Sequence, residues 1–390
     1  MPNLPSDFTL LQVVPRLDAG GVERTTLDIG RAVVQAGGRS LVASEGGRLE
    51  EALEQQGSRL VRLKAASKNP FTILSNGFRL ARLAREEAVT VIHARSRAPM
   101  LSALIAGRLA RVPVIATYHG VYNARSPLKR WYNGLMTRGV QVIANSAYTA
   151  RHLIAEHRVN PAKVTVADRG SDLSLFDPGA VAQTRVDQVL ASWGIEPGDN
   201  RARILCAARL TRWKGQTVMI EAAARLKALG RDDFLVILAG DDQGRSAYRQ
   251  ELEALIQARG VADRVRLAGH LTDMPAAWMA CDIGAAPSIE PEAFGRTAVE
   301  PQLMARPVIA SAHGAPMDTI LDGETGLLAA PGDADAWAAA MARLIDLGPE
   351  GRAAMGARAA DRARRLYSLD AMVEATFRVY GRVVSSSGGA

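Results

Sequence analysis

The sequence predicts an α/β protein built from two doubly wound parallel-sheet units in series. At 390 residues the chain exceeds the roughly 250 to 300 residues that one hydrophobic core usually serves. Short apolar runs alternate with helical patterns almost throughout, which is typical of strands that feed crossover helices onto a parallel sheet. The alternation pauses over residues 179–200, where turn residues occur without a strand pattern, so we place the domain boundary there.

The first predicted domain, residues 1–185, contains four strand patterns. In chain order they are "FTLLQVV", "TVIHAR", "VPVIATYH" and "QVIANS". The helical patterns "GVERTTLDIGRAVVQAGG", "MLSALIAGRLAR" and "AYTARHLIAEH" follow the first, second and fourth of them. This order is the one that crossovers between parallel strands require.

The second predicted domain, residues 195–366, repeats the alternation. Its strand patterns include "ARILCAARL", "FLVILAG", "RVRLAGH" and "CDIGAAPS", and the helical patterns "QTVMIEAAARLKALG" and "AYRQELEALIQARG" lie between them. Two further helical patterns, "DADAWAAAMARLIDLG" and "GRAAMGARAADRARRLYS", come later. Residues 367–384 contain the last one, "LDAMVEATFRVYGRVV", which has the apolar stripe of an amphipathic helix.

Composition indicates an ordinary soluble globular chain, with 48% apolar and 23% charged residues. The two cysteines, Cys206 and Cys281, lie in apolar runs and cannot build a disulfide framework or a zinc site. No stretch has the length of a membrane span, and the first residues lack the basic start and apolar run of a signal peptide. We therefore expect a cytoplasmic protein.

The positive charge of the chain is concentrated in one half. Residues 1–180 carry 24 Lys/Arg and 14 Asp/Glu, although the net charge of the whole chain is only +8. An arginine-rich coding bias is one explanation, and an anionic partner such as a membrane surface or glycan is the other. The basic residues next to aromatic or apolar ones are Arg79, Arg82 and Arg85 in one stretch and Lys129, Arg130, Trp131 and Tyr132 in another. This mixture suits peripheral contact with an anionic membrane, or an ordinary solvated helix face, whereas nucleic acid is disfavoured because no binding module is present.

Two glycine-rich signatures are absent. No G-x-G-x-x-G follows a strand, and no P-loop pattern occurs, which disfavours dinucleotide oxidoreductases and P-loop ATPases. Instead, Gly20 and Gly21 follow the first strand and open a helix, whose backbone N–H groups can face an anion. A simple turn is the alternative interpretation of this pair.

In the second half, Arg209 and Lys214 flank a loop that follows the strand "ARILCAARL". Two fixed cations near a helix start suit a diphosphate, which carries too much charge for one donor. A solvated strand end is the alternative.

Two acids, Glu292 and Glu300, lie eight positions apart in "SIEPEAFGRTAVEPQL". On one helix they would be roughly 12 Å apart, which is wider than the roughly 5 to 9.5 Å of glycosidase carboxylate pairs. We therefore expect separate roles. Glu292 would meet one end of a ligand, Gly295 would let the backbone approach closely, and Glu300 could accept hydrogen bonds from a vicinal diol.

Nine motifs in order carry a resemblance that covers nearly the whole chain. They are "GGVER", "TYHG", "ARLTRWKGQ", "AGDD", "VRLAGHL", "DIGAAPS", "EAFGRTAVE", "RPVIAS" and "DGETGLL". In these the sequence resembles the retaining family 4 glycosyltransferases of the GT-B fold. The resemblance implies two Rossmann-like domains that face each other across a cleft, with a nucleotide-sugar donor held mainly by the C-terminal one, an acceptor held mainly by the N-terminal one, and a final helix that crosses back to the first.

The same resemblance implies roles for the donor-binding residues. Arg209 and Lys214 would neutralise the donor diphosphate, and Glu300 would bind the ribose hydroxyls. Backbone around His270 and Leu271 would meet the base.

A further group would surround the transferred sugar. Glu292, Phe294 and Gly295 would contact the sugar and its phosphate, the Gly20–Gly21 turn would close the phosphate region, and His119 would face the sugar. The expected catalytic residues are His119, Arg209, Lys214 and Glu292.

The sequence departs from the family pattern at four positions. Pro301 and Ala305 stand where a small residue and a glycine are usual, Arg169 stands in place of an asparagine, and Ala315 in place of a glycine. Because a proline in a helix interior costs about 3 kcal/mol, we expect the helix to begin near Ala298, with Pro301 in its first turn. A left-handed Ala305 would add strain of roughly 1 kcal/mol.

The sequence favours transfer without a metal ion. Its single D-x-D, Asp333 to Asp335, is explained by a helix N-cap, so we expect no divalent ion and no cofactor beside the nucleotide-sugar donor. Our leading hypothesis is a retaining hexosyltransferase of surface polysaccharide or glycolipid synthesis, acting on a glycan or lipid-linked acceptor. The alternatives are a sugar-nucleotide epimerase, a glycogen-synthase-like polymerase, and a non-catalytic sugar-nucleotide sensor at the membrane.

Overall fold

The computed structural model describes residues 4–387 except 19, 123–125, 243 and 245. It divides into two compact units, one formed by residues 1–170 with 369–390 and the other by residues 171–368. Within the described residues the strands are β1 (Thr9–Val13), β2 (Arg39–Ser44), β3 (Arg59–Arg62), β4 (Val91–Ala94), β5 (Val114–Tyr118), β6 (Gln141–Ala144), β7 (Val164–Val166), β8 (Ala202–Ala207), β9 (Phe234–Ala239), β10 (Val265–Gly269), β11 (Ile283–Ala286), β12 (Val308–Ser311) and β13 (Gly326–Ala329).

Helices connect nearly all of these strands. Those in the described residues are α1 (Gly21–Gln35), α2 (Glu50–Gln55), α3 (Pro70–Glu86), α4 (Arg97–Ala110), α5 (Pro127–Gly134), α6 (Ala147–His157), α7 (Gln183–Ser192), α8 (Gln216–Ala228), α9 (Ser246–Ala258), α10 (Met274–Ala280), α11 (Arg296–Leu303), α12 (Pro316–Thr319), α13 (Ala334–Asp346), α14 (Gly348–Leu366) and α15 (Leu369–Ser387).

The first unit is built on a parallel sheet with the strand order β3-β2-β1-β4-β5-β6-β7. Its central strand β1 pairs with β2 on one side and with β4 on the other, so that Leu11 lies beside both Leu41 and Ile92. The chain therefore reverses its direction of strand addition between β1 and β4. In open α/β sheets the crevice outside this reversal, at the carboxyl ends of the strands, is where ligands bind.

Helix α15 belongs to the first unit, which confirms the expected return of the last helix. Phe377 and Tyr380 are fully buried in one cluster with Phe8 from the start of the chain. The Tyr380 and Phe8 rings lie 5.4 Å apart between centroids. Burial of large aromatic side chains of this kind provides much of the packing energy of a core.

The second unit is built on a second parallel sheet, with the order β10-β9-β8-β11-β12-β13. Its reversal lies between β8 and β11, which pair directly through Ile204 and Ile283. The two sheets confirm the predicted fold class of two doubly wound parallel-sheet domains. Sequence reasoning did not identify the edge strands β3, β7 and β13 or the neighbouring β2, and β7 has only three residues.

The second unit begins at Ser171, before the expected end of the first domain at residue 185. Residues 183–192 form α7, whose Arg185 makes two hydrogen bonds of 2.8 Å to the carboxylate of Asp273, the N-cap of α10. The region chosen as the boundary thus carries a helix that packs on the second unit.

The expected start of α11 near Ala298 is wrong, since the helix begins at Arg296 and places Pro301 in its interior. The Pro301 ring packs against Gly284 of β11, where an added Cβ would lie 2.7 Å from it, so the proline fills space that glycine leaves. The left-handed Ala305 is confirmed, with φ 54°. Ala305 and Arg306 donate their N–H groups to the carbonyls of Gln302 and Pro301, which completes a Schellman ending.

Candidate functional site

The second unit gathers most of the expected donor residues at the carboxyl edge of its sheet. Arg209 and Lys214 follow β8, and Glu292 follows β11, the two strands between which the sheet reverses. This is the position where doubly wound sheets bind ligands. Residues from two separate sequence stretches therefore meet at one point of the fold.

Backbone contacts fix the two loops against each other. The N–H of Ile289 donates to the carbonyl of Trp213 over 2.8 Å. Gly215 adopts a φ of 75°, and an added Cβ there would lie 1.9 Å from the carbonyl oxygen of Pro287. Both the conformation and the close approach require glycine at this position.

Lys214 and Glu292 form an ion pair, with 2.7 Å between Nζ and Oε1. Their side chains are only 10% and 12% exposed, and the ammonium also lies 4.3 Å from the Trp213 ring centroid. The Ser288 hydroxyl donates to the same carboxylate oxygen of Glu292. Two donors thus hold the Glu292 carboxylate, while the Lys214 ammonium keeps further N–H donors for a ligand.

Arg209 presents an exposed side chain that forms no ion pair among the described residues. Its backbone is fixed, because the buried amide of Gln216 donates to its carbonyl over 2.9 Å. A guanidinium on a fixed backbone, five residues from Lys214, is free to take an anionic oxygen.

Glu300 lies in the second turn of α11 and is buried. The indole N–H of Trp278 donates to its Oε2 over 3.3 Å, and Arg296 Nε lies 3.4 Å from its Oε1. Its contacts differ from those of Glu292, so the two carboxylates lie in different surroundings. Gly295, just before this helix, has φ 78°, a value that strongly favours glycine.

The remaining expected donor residues differ in exposure. His270 is exposed after β10, and Leu271 is half-buried. Phe294 is buried in the core, where its ring packs edge-on against Tyr367 with centroids 5.8 Å apart. Its side chain is therefore occupied, and only its backbone is left for contact with a ligand.

In the first unit, α1 begins at Gly21, directly after the extended Gly20. An added Cβ on Gly21 would lie 1.8 Å from Nη1 of Arg169. The Arg169 guanidinium thus lies against the N-terminal turn of α1, where backbone N–H groups already favour negative charge.

His119 follows β5 and is largely buried. Its pKa lies well below the usual value, because burial and the positive charges of Arg95 and Arg169 all disfavour the imidazolium. Its Nε2 has no hydrogen-bond partner among the described residues, and it lines a cavity of about 20 Å³. A neutral imidazole here can exchange one hydrogen bond with a ligand hydroxyl.

Sequence reasoning missed four residues that contact the expected site residues or line the cavity beside His119. Arg95 ends the strand pattern "TVIHAR" and reaches the same cavity as His119. Its charge at the end of an otherwise apolar strand was the available signal. The others, Trp213, Ser288 and Trp278, gave no signal, because their contacts to Lys214, Glu292 and Glu300 depend on tertiary structure.

The described residues contain no group of three or more His, Cys, Asp or Glu side chains that could hold a metal ion. Asp333 caps α13, accepting from the N–H groups of Asp335 and Ala336 over 3.0 Å each. Cys206 and Cys281 are buried free thiols, and burial raises the pKa of both to about 12. Of the described helices, none combines the length and apolar character needed to cross a bilayer.

Comparison with known proteins gave matches over both units. The model of glycosyl transferases group 1 matches residues 192–362, and that of glycosyltransferase family 4 matches residues 19–175. The crystal structure of a glycosyltransferase from Rickettsia africae is 30% identical, with a TM-score of 0.89, and the match covers 97% of this chain and 99% of that one.

Further matches cover less of their partner or are less similar in sequence. The D-inositol 3-phosphate glycosyltransferase of Salinispora tropica is 35% identical over 63% of this chain, and the chain spans about half the length of the curated relatives it matches. The structure of Anabaena HepE with UDP is 24% identical over 96% of this chain and all of that one, with a TM-score of 0.81, which is a likeness of fold.

Proposed function

This chain belongs to the family 4 glycosyltransferases of the GT-B fold, and from that premise we propose that it moves a hexose-type sugar from a nucleoside diphosphate to a hydroxyl of a glycan or lipid-linked acceptor. The observation that carries the proposal is the arrangement of Lys214, Glu292 and Arg209 on the loops after β8 and β11. A partly buried ammonium and an exposed guanidinium on fixed backbones suit a diphosphate. The UDP bound to Anabaena HepE, which has the same fold, supports a nucleotide donor.

The cations would act on the leaving group. As the bond between the sugar and the diphosphate breaks, negative charge develops on the phosphate oxygen, and Lys214 and Arg209 stabilise it. Such fixed donors accelerate the reaction because they need no reorganisation as the charge develops. On this proposal the reaction needs no divalent ion.

Retention of configuration is the stereochemical outcome we propose. A double displacement would need a free carboxylate nucleophile, whereas Glu292 is already bound to Lys214 and Ser288. We therefore favour attack from the face that the diphosphate leaves. The acceptor oxygen bonds to the anomeric carbon, the bond to the phosphate oxygen breaks, and that oxygen takes the acceptor proton.

A lipid-linked acceptor and peripheral membrane contact are supported by exposed residues on two helices of the first unit. Helix α5 exposes Leu128 and Trp131 beside Lys129, and α3 exposes Phe71 and Phe78. Exposed aromatics beside basic residues suit the boundary between an anionic headgroup layer and acyl chains. We accordingly propose a step of surface polysaccharide or glycolipid synthesis at the inner face of the cytoplasmic membrane.

A thermal-shift screen against UDP, GDP and ADP sugars tests the donor assignment. A sugar nucleotide at 100 times its dissociation constant should add about 2.7 kcal/mol of stability. The selected donor is then incubated with acceptor extracts, and the anomeric coupling in the product is measured by NMR. Failure of every donor to stabilise the chain, or an inverted product, would contradict the proposal.

The same assay separates the alternatives. An epimerised sugar nucleotide or free sugar without acceptor indicates an epimerase, and long α-glucan chains indicate a polymerase. Binding of a donor without transfer across a broad acceptor panel indicates a sensor.

A further inference from the structure

Arg95, the residue that follows β4, is a buried cation whose hydrogen bonding is incomplete. It is 1% exposed, and its backbone N–H donates to Val13. Its Nη1 lies 3.4 Å from Nε2 of His93 and 3.5 Å from Oγ1 of Thr117. Its Nε and Nη2 have no hydrogen-bond partner among the described residues.

The free atoms, Nε and Nη2, form one edge of the guanidinium. This is an edge with which arginine binds two oxygens of a carboxylate or phosphate in parallel. A buried charge is costly when it is not paired and hydrogen-bonded. The arrangement of Arg95 therefore lacks one component, a bidentate anionic acceptor.

The neighbouring side chains do not supply that component. His93 is hydrogen-bonded to Thr117 over 2.7 Å and to Tyr380 over 2.9 Å. Burial and the charge of Arg95 hold the pKa of His93 well below its usual value, so this histidine is neutral. Burial lowers the pKa of Arg95 to about 10, which leaves it charged at neutral pH. Asp28 is the carboxylate that acts on Arg95 electrostatically, but the described contacts include no ion pair between them.

A small cavity lies beside Arg95, at the carboxyl edge of the first unit's sheet. It has a volume of about 20 Å³, and its polar lining consists of Thr25, Arg95, Thr117, His119, Asn145, Arg169 and Thr376. Nε2 of His119 and Oδ1 of Asn145 are also buried without partners among the described residues. The volume is enough for about one water molecule or one oxygen-sized group of a ligand, and the site is polar enough to hold it.

The cavity lies where the first unit is expected to bind ligands. Its lining comes from the carboxyl ends of β4 to β7, from the first turns of α1 and from the start of α15, next to the reversal between β1 and β4. Three polar side chains, Arg95, His119 and Asn145, thus bring buried hydrogen-bonding atoms without partners among the described residues to one place, and Arg95 and Arg169 make it positive.

We propose that this cavity is an oxyanion-binding site, in which the Nε–Nη2 edge of Arg95 takes a phosphate or carboxylate group and His119 contributes a further hydrogen bond. All of its residues belong to the first unit, whereas the residues of the proposed diphosphate site follow β8 and β11 of the second. It goes beyond the proposed function, because it requires one of the two substrates, or a free effector, to carry an oxyanion into the first unit.

Inorganic phosphate and acetate are the probes for this site, titrated by calorimetry against the full chain at constant ionic strength. The diphosphate site is removed from the measurement by saturating UDP and, in parallel, by the Lys214→Met background. We expect saturable phosphate binding that weakens at least tenfold in Arg95→Met. Arg108→Met, which removes an exposed arginine from the same unit, should bind phosphate as the unaltered chain does.

A second variant covers the possibility that Arg95→Met does not fold. Asn145→Asp places a carboxylate in the cavity, which should pair with Arg95 and reduce phosphate affinity by a similar factor. Unaltered stabilisation by UDP verifies the fold of each variant. Competition between phosphate and a purified acceptor identifies the acceptor as the source of the oxyanion, and competition with the sugar nucleotide identifies the donor.

The results that would overturn the proposal are specific. They are absence of saturable phosphate and acetate binding, equal affinity in Arg95→Met, or chloride binding as tight as phosphate. If none of UDP, GDP and ADP binds the unaltered chain while phosphate still binds in the Lys214→Met background, the donor assignment fails and the oxyanion site stands.

Discussion

Replacement of Lys214 by alanine is the most direct test of the donor site. The ammonium lies 2.7 Å from Glu292, and the Lys214 side chain is only 10% exposed. The ammonium is therefore a preorganised donor, and a water molecule would not take over its role in a variant that lacks it. Removing one such donor typically lowers turnover by about 10²–10³-fold, equal to roughly 2.7–4 kcal/mol of transition-state stabilisation. We expect Lys214→Ala to lose turnover in this range.

The same change also affects stability, and this effect must be separated from catalysis. Breaking a fully buried ion pair costs about 3–5 kcal/mol, because the remaining charge stays buried. About a tenth of each side chain is exposed here, and Ser288 still donates to Glu292, so we expect a loss of about 2–3 kcal/mol. In the double variant Lys214→Ala with Glu292→Gln, much of this stability should return while turnover stays low.

Single-turnover kinetics with saturating donor measure the chemical step, and urea denaturation of the same samples measures the free energy of unfolding. Arg212→Ala is the matched control, since Arg212 lies in the same loop but is exposed and paired with Glu251. It should retain near-normal turnover. A folded Lys214→Ala enzyme with the turnover of the unaltered chain would refute the assignment of Lys214 to the leaving group.

Four further predictions concern two backbone positions, the pH dependence from His93 and the metal dependence of transfer. Gly215→Ala should lower the free energy of unfolding by several kcal/mol, because the added Cβ would collide with the Pro287 carbonyl. Gly194 also has a positive φ but has open space around it, so Gly194→Ala should cost only about 1 kcal/mol. Urea denaturation of both variants measures the difference. Ala305→Gly should raise the melting temperature, because it relieves left-handed strain of roughly 1 kcal/mol at the end of α11; an unchanged or lower value would contradict this. Burial lowers the pKa of His93 in the folded state, so below about pH 6.5 the unfolded chain binds a proton at this histidine that the folded chain does not bind. The free energy of unfolding should therefore fall as the pH drops below about 6.5. A urea midpoint that stays constant from pH 7 to 5 would argue against this. Sugar transfer should continue in EDTA, and loss of turnover that added Mg²⁺ restores would show that the reaction needs a metal.

Much of the fold could be predicted because its signals are local. Strand β1 is wholly buried and followed by the amphipathic helix α1, and β9 with α9 repeats this pattern in the second unit. The edge strand β3 was missed, since it has only four residues, in which two half-buried apolar positions lie between two exposed arginines. The start of α11 was misplaced because propensity alone disfavours an interior proline, whereas packing against Gly284 accommodates it.

The sequence identified the residues of the candidate site but not the ion pair that two of them form. Motif order identified Lys214 and Glu292 separately, yet they are 78 positions apart, and only the direct pairing of β8 with β11 brings them together. The incomplete hydrogen bonding of Arg95 could not be predicted either. A charged residue at a strand end is usually solvated, and the fact that this one is buried depends on the packing around β4 and β5.

Each unit has a cation near the two strands between which its sheet reverses, and the two cations differ in their partners. They are Arg95 in the first unit and Lys214 in the second. Lys214 has its counter-ion within the protein, so a bound diphosphate must share or replace Glu292, and affinity depends on how readily the ammonium reorients. Arg95 has no paired carboxylate among the described contacts, so an oxyanion that reaches it meets a donor edge already free and fixed. The first arrangement favours release of a charged product after each turnover, and the second favours retention of an anionic group. If both assignments hold, phosphate should bind the first unit of the Lys214→Met chain at least as tightly as it binds the second unit of the Arg95→Met chain.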